Sequence, residues 1–257
     1  MAIAGVIFDL FGTLVSPFRR REHIQTMRAC AGILGLEYEV FHREWVEIYP
    51  QRVRGEFSSL AEGFDYVARR LGTAASDGEL VECERVYLEF TRGSLAPLEG
   101  VVETLEFLRS DGVRIGLVSN CAADVPRVWS STALAGYFDY TAFSCDLGTA
   151  KPQPEIYFAA IENLGLSPGE ILYVGDGSDE ELTGAVRCGL KPILVRVDLT
   201  DTYDPHRRDV ELWSGESIRR IPEVLEYFGG LRGHPAAAGG ASPAPAATLG
   251  ADRPAPA

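Results

Sequence analysis

Five short apolar runs set the limits on what this chain folds into. Residues 5–9 (GVIFD), 114–118 (RIGLV), 140–144 (YTAFS), 171–175 (ILYVG) and 193–197 (ILVRV) have the length and β-branched content of buried strands, and turn signals bound each one. Amphipathic helical patterns separate the later runs. EGVVETLEFLRSDG precedes the second and stops at Gly112, while PEIYFAAIENLG starts on Pro154 and stops at Gly165. Proline and glycine thus stand where helices begin and end. Strands alternating with helices predict an α/β fold, a Rossmann-like parallel sheet of about five strands.

Residues 17–96 break the alternation. They read as helices with no convincing strand: one over 19–34, another over 57–71 before Gly72, and a third opening on Ser76-Asp77-Gly78-Glu79, a capping-box pattern. The expected organisation is a helical cap, 17–96, inserted after the first strand of a core formed by 1–16 and 97–228. Residues 229–257 are mostly Ala, Pro and Gly and predict a disordered tail.

At 257 residues and 46% hydrophobic, the chain has ample material for a core. The formal charge of −13 argues against a broad nucleic-acid surface or an electrostatic membrane anchor, but leaves room for a small anion site. Cysteines at 30, 83, 121, 145 and 188 form no C-x-x-C and read as reduced thiols. No apolar run approaches a membrane span and the first residues lack a charged leader, so a cytoplasmic location is expected.

In an open α/β sheet, ligands bind at the carboxyl ends of the strands. Asp9, Ser119 with Asn120, and Asp176 end such runs, and Lys151, one of only two lysines, lies in a loop just before a helix start. Two carboxylates, a hydroxyl and a lysine on one edge suit a small anionic substrate with Mg²⁺, which favours a few carboxylates plus phosphate oxygens. Arg19-Arg20-Arg21 follows the first loop; a solvated helix face is one reading, and recognition of substrate by Arg20 the other. Cys121 has no evident histidine partner for nucleophilic work. The histidines at 23, 42, 206 and 234 show no metal-binding spacing.

These residues carry a resemblance to the haloacid dehalogenase (HAD) superfamily over residues 5 to about 228. FDLFGTL is similar to its first motif, LVSN to its second, KPQPEIY to its third and YVGDGSDEELTGAVRCGL to its fourth. The insert resembles the helical cap of the subgroup with small-metabolite phosphatases and 2-haloacid dehalogenases. The resemblance implies that Asp9 is the nucleophile, that Ser119 and the first loop (Phe11, Gly12, Thr13), with Asn120, bind the transferring group, and that Lys151 neutralises charge. It implies Mg²⁺ on Asp9, Asp176 and the Phe11 carbonyl. A further acid comes from Asp179, Glu180 or Glu181. Glu181 is the metal candidate, although it also stands at capping-box spacing from Ser178. The protein is expected to act on a phosphorylated metabolite as a monomer or homodimer, without nucleic acid or membrane.

Phe11 departs from the pattern. Phosphatases of the superfamily usually carry a second Asp there, which protonates the leaving oxygen and helps activate water. Three readings follow: a Mg²⁺-dependent phosphatase without that acid, a metal-independent 2-haloacid dehalogenase, and a catalytically weak binding or regulatory protein. The acidic fourth motif favours the first. The absence of lysine from residues 17–96 argues strongly against phosphonate hydrolysis through a cap lysine.

Overall fold

The structure, a computed structural model, describes residues 2–229. The expected tail therefore lies, apart from Gly229, outside the described residues. β1 (Gly5–Phe8) is buried along its length; Val6 and Phe8 enter one core and Ile7 the other, the period-2 signature of a strand covered on both faces. It is joined by β2 (Arg114–Ser119), β3 (Tyr140–Phe143), β4 (Ile171–Gly175), β5 (Lys191–Val195) and β6 (Ser217–Ile218). All pairings are parallel, in the order β3-β2-β1-β4-β5-β6.

The sheet thus has six strands, where the sequence predicts about five. The extra strand, β6, is two residues long and held by pairing of Ser217 and Ile218 with Leu194 and Val195. Two residues are too few to leave an alternating pattern. β5 also sits two residues earlier than its apolar run, because pairing with β4 recruits Lys191 and Pro192.

Between β1 and β2 lie α1 (Arg20–Ile33), α2 (Tyr38–Glu47), α3 (Tyr49–Val53), α4 (Leu60–Arg70) and α5 (Asp77–Ser94), with no named strand among them. The Ser76 capping box forms as expected, Ser76 N donating to Glu79 Oε2 at 2.8 Å and Glu79 N to Ser76 Oγ at 3.4 Å. The insert is closed at its base: Val15 bridges Pro97, and Leu98 N donates to Leu14 O at 2.9 Å. Its interior is aromatic, with Trp45 stacked on Phe64 at 4.4 Å.

Downstream follow α6 (Val101–Ser110), α7 (Asp124–Trp129), α8 (Ser144–Leu147), α9 (Pro154–Leu164), α10 (Glu181–Arg187) and α11 (Arg208–Leu212). α6 covers one face of the sheet and α9 the other. As predicted, α9 starts on proline and ends at Gly165 in the left-handed conformation. Among the described residues no helix is long and apolar enough to cross a membrane.

Candidate active site

Parallel register builds the site. Phe8 pairs with Leu117 on one side and Val174 on the other. The residues that end or follow these strands, Asp9, Ser119 and Asp176, therefore emerge together at the carboxyl edge, where chain order reverses direction about β1. The expected cluster is assembled, and all three side chains are buried, as is Lys151.

Lys151 Nζ lies 2.6 Å from Asp9 Oδ1 and 2.6 Å from Glu181 Oε2. Burial works against the lysine charge, but the two carboxylates outweigh it and hold the ammonium well above the usual lysine range. Burial raises Asp9; Lys151 opposes that rise and the charge of Asp176 adds to it. The second oxygen of Asp9 accepts from Thr13 Oγ1 at 3.1 Å. Gly12 turns the intervening loop at φ +83°, and a Cβ there would fall 1.8 Å from Asp176 Oδ2. Only glycine lets the first loop approach the fourth so closely.

Of the two sequence readings of Glu181, the structure removes the capping box. Ser178 does not cap α10. Instead Glu181 accepts from Lys151, from Tyr173 Oη at 2.7 Å and from Gly177 N at 2.8 Å. Burial and the charge of Asp9 push its carboxyl up to about 8, against the pull of Lys151. Both oxygens are engaged, so its clearest work is to hold the lysine, although its ligand atom lies within 4.8 Å of those of Asp9 and Asp176. Asp179 is exposed and accepts from Asn120 Nδ2 at 2.7 Å. Asn120 also accepts from Lys151 N at 2.8 Å, which fixes the lysine loop from the other side.

Two buried oxygens in this corner have no hydrogen-bond partner, Ser119 Oγ and Asp176 Oδ2. Arg207 Nη1 lies 2.5 Å from the latter as an ion pair, without a hydrogen-bond alignment. Hard carboxylate oxygens at this spacing suit a small divalent cation. Phe11 can offer only its backbone carbonyl to such an ion; its ring packs edge-on against Phe18 at 5.8 Å.

A cavity of about 480 Å³ opens above the cluster, lined by Asp9, Phe11, Asn120 and Lys151 from the strand edge and by His23, Arg52 and Tyr87 from the insert. Arg20 does not line it. Arg20 is exposed, with its guanidinium 5.8 Å from the Tyr203 ring centre, and Arg19 pairs with Glu22 at 3.8 Å, so the arginine run is a solvated helix face. Sequence reading missed Arg52, Arg207 and Tyr173. Arg52 stands on α3, which no periodicity announced, and Arg207 in an irregular segment whose partner is 31 positions away. It also missed that His23 and His42 meet on one hydroxyl, Tyr203 Oη, at 2.7 and 3.1 Å.

Breaking the buried ion cluster should cost stability as well as activity. Lys151→Met leaves Asp9 and Glu181 facing each other without a cation, and should lower folding stability by about 3–5 kcal/mol. Urea titration of both proteins checks this; an unchanged midpoint would mean that the carboxylates are compensated elsewhere.

A strand-end carboxylate steadied by a lysine, beside a buried free hydroxyl and a second carboxylate, is an arrangement that suits a hydrolase. The sequence matches the haloacid dehalogenase-like hydrolases over residues 3–189, and the chain belongs to that family. It is 29% identical over 212 residues to glyceraldehyde 3-phosphate phosphatase of Methanopyrus kandleri, covering 80% of this chain and 90% of that protein. Its fold is similar to that of a HAD phosphatase from Thermococcus onnurineus (TM-score 0.60, 22% identity, covering 90% of this chain and 100% of the other). It is also similar to the fold of the L-2-haloacid dehalogenase of Xanthobacter autotrophicus (TM-score 0.57, 19% identity, 87% and 98% covered).

Proposed function

We propose that this hydrolase is a Mg²⁺-dependent phosphatase that removes phosphate from a small phosphorylated metabolite through an aspartyl-phosphate. The observation that carries this reading is the pairing of Asp9 with Asp176, two buried carboxylates brought together with Glu181 within 4.8 Å. A dehalogenase needs no such pair, because halide leaves without a metal. The phosphatase relative from Methanopyrus kandleri supports the same substrate class.

Asp9 and Asp176, with the Phe11 carbonyl, would hold the ion, which when bound neutralises charge on the phosphoryl oxygens. Asp9 Oδ attacks phosphorus as the ester P–O bond breaks, and the leaving oxygen takes its proton from water or from the substrate itself. Water then cleaves the acyl phosphate and restores the carboxylate. Lys151 offsets charge on Asp9 and on the phosphoryl group, and the Ser119 hydroxyl is free to bond a phosphoryl oxygen.

One observation favours the runner-up, a metal-independent 2-haloacid dehalogenase: Arg207 already sets a cation against Asp176. Assay of phosphate monoesters and 2-haloacids, with Mg²⁺ or EDTA, separates the two. The phosphatase reading expects phosphate release that EDTA stops, and calorimetric Mg²⁺ binding that Asp176→Asn weakens at least tenfold. Halide release in EDTA with no phosphate release overturns it.

A further inference from the structure

We propose that Arg52 forms a second anion subsite, and that the substrate carries another oxyanion on the portion that leaves. This rests on the phosphatase reading, since it takes the group at Asp9 to be the one transferred.

The described chain buries three cations, Arg52, Lys151 and Arg207. All three line the cavity. Two are neutralised in place: Lys151 by Asp9 and Glu181, Arg207 by Asp176. Arg52 differs. It is 7% exposed, and among the described residues no carboxylate stands within ion-pairing distance of it. Of its five N–H donors, one is used, Nη2 to Trp45 O at 3.3 Å, and Nε has no partner. The nearby buried acid of the cavity wall, Asp124, feels the charge of Arg52 but makes no direct pair with it, accepting from Thr91 Oγ1 at 2.8 Å. Burying a guanidinium without a counter-ion is unfavourable, and arginine cannot shed its proton to escape the cost.

Packing nonetheless holds the group firmly. The guanidinium carbon lies 4.2 Å from the Trp45 ring centre and 5.5 Å from that of Tyr49. Stacking of this kind orients the planar fork without using up its donors. The group is therefore fixed and directed, and most of its donors are left for something outside the chain to engage. Arg52 belongs to the insert, whereas Asp9 and Lys151 belong to the strand edge. A ligand that spans the cavity from Asp9 presents its leaving portion to Arg52. An oxyanion that offers two oxygens side by side, carboxylate or phosphate, matches the fork.

The test compares substrates with one leaving-group skeleton. 4-(Carboxymethyl)phenyl phosphate carries the second anion, its primary amide does not, and the 4-(phosphonomethyl) analogue offers a phosphorus oxyanion. The wild type should prefer an anionic ester over the amide by about 10- to 100-fold in kcat/KM, mainly through KM. Whichever anion is favoured names the source. In Arg52→Met the preference should fall to near one whatever the absolute rate, and Arg52→Lys should keep part of it. Calorimetry with the matching benzylphosphonates, acid and amide, reads the same preference without turnover. No preference in wild type, or a preference that survives in Arg52→Met, overturns the subsite; the first result needs no variant to fold. Preferential binding of the acid phosphonate with no ester hydrolysis keeps the subsite and overturns the phosphatase reading. Hydrolysis without preference does the reverse.

Discussion

Asp9→Asn should abolish turnover, with kcat falling by about 10⁴-fold or more, the scale on which loss of a catalytic nucleophile acts. An amide is a poor nucleophile, and no other described carboxylate can take over. Glu181 is held by three donors, and Asp176 bonds Ser178 N at 3.1 Å while facing Arg207. Thr13 can still bond the asparagine oxygen, and Lys151 keeps Glu181, so the loop that carries residue 9 should remain in place. The measurement is kcat on the best ester from the panel, with circular dichroism as the folding control. Acid-quenched wild-type enzyme should carry phosphate on the peptide that contains Asp9, and the variant should not. A folded Asp9→Asn that retains turnover would remove Asp9 from the nucleophile's role.

Phe11→Asp should change which leaving groups the enzyme tolerates. General acid–base help is worth about 10²–10⁴ in rate, and matters most for a poor leaving group such as an alkoxide. The wild-type side chain gives none. Its ring meets Phe18 at 5.8 Å, and Phe18 in turn meets His23 at 5.0 Å. His23 is the insert's candidate for moving a proton, but burial holds it down to about 3, helped by the charge of Arg52, so it is neutral at pH 7. The wild type should therefore favour aryl and acyl phosphates, whose leaving groups depart unaided, over alkyl phosphates. Phe11→Asp should raise kcat/KM for alkyl phosphates far more than for aryl ones. The gain should stay below the general acid–base ceiling, because the change gives up an aromatic contact between the first loop and the segment leading into the insert. A wild type that hydrolyses alkyl phosphates well, and loses this in Phe11→Asp, would show that another group already supplies the proton.

The elements of the fold were legible because their causes are local. Pro154 and Gly165 bound α9 by their own backbone preferences, and Ser76 with Glu79 opens α5 through hydrogen bonds between residues three apart. The apolar runs 5–9 and 171–175 read as strands because both faces of the sheet are covered, so nearly every side chain must be apolar. β6 was not legible, since two residues acquire strand geometry only from the edge they pair with. α2 and α3 were likewise obscured: Tyr38–Glu47 buries only Phe41 and Trp45, too narrow a stripe to stand out.

For the site, the sequence by itself determined which candidate residues would gather at one edge. Asp9, Ser119, Lys151 and Asp176 sit at strand ends or a helix start, and an open parallel sheet brings such positions to one edge whatever the remaining details. Tertiary structure alone decided how those residues are paired. Lys151 reaches Asp9 across 142 positions and Glu181 across 30, and Glu181 proved to anchor the lysine rather than to cap a helix, while staying in the acidic cluster with Asp9 and Asp176. It also decided which arginines line the cavity. Arg20 is an exposed helix residue, while Arg207 faces Asp176 and Arg52 is buried in the cavity wall without a direct ion pair among the described residues. Charge pairing depends on distances of a few ångströms between segments far apart in the chain. Periodicity and capping carry information about neighbours along the chain, and none about which distant charges packing brings into contact.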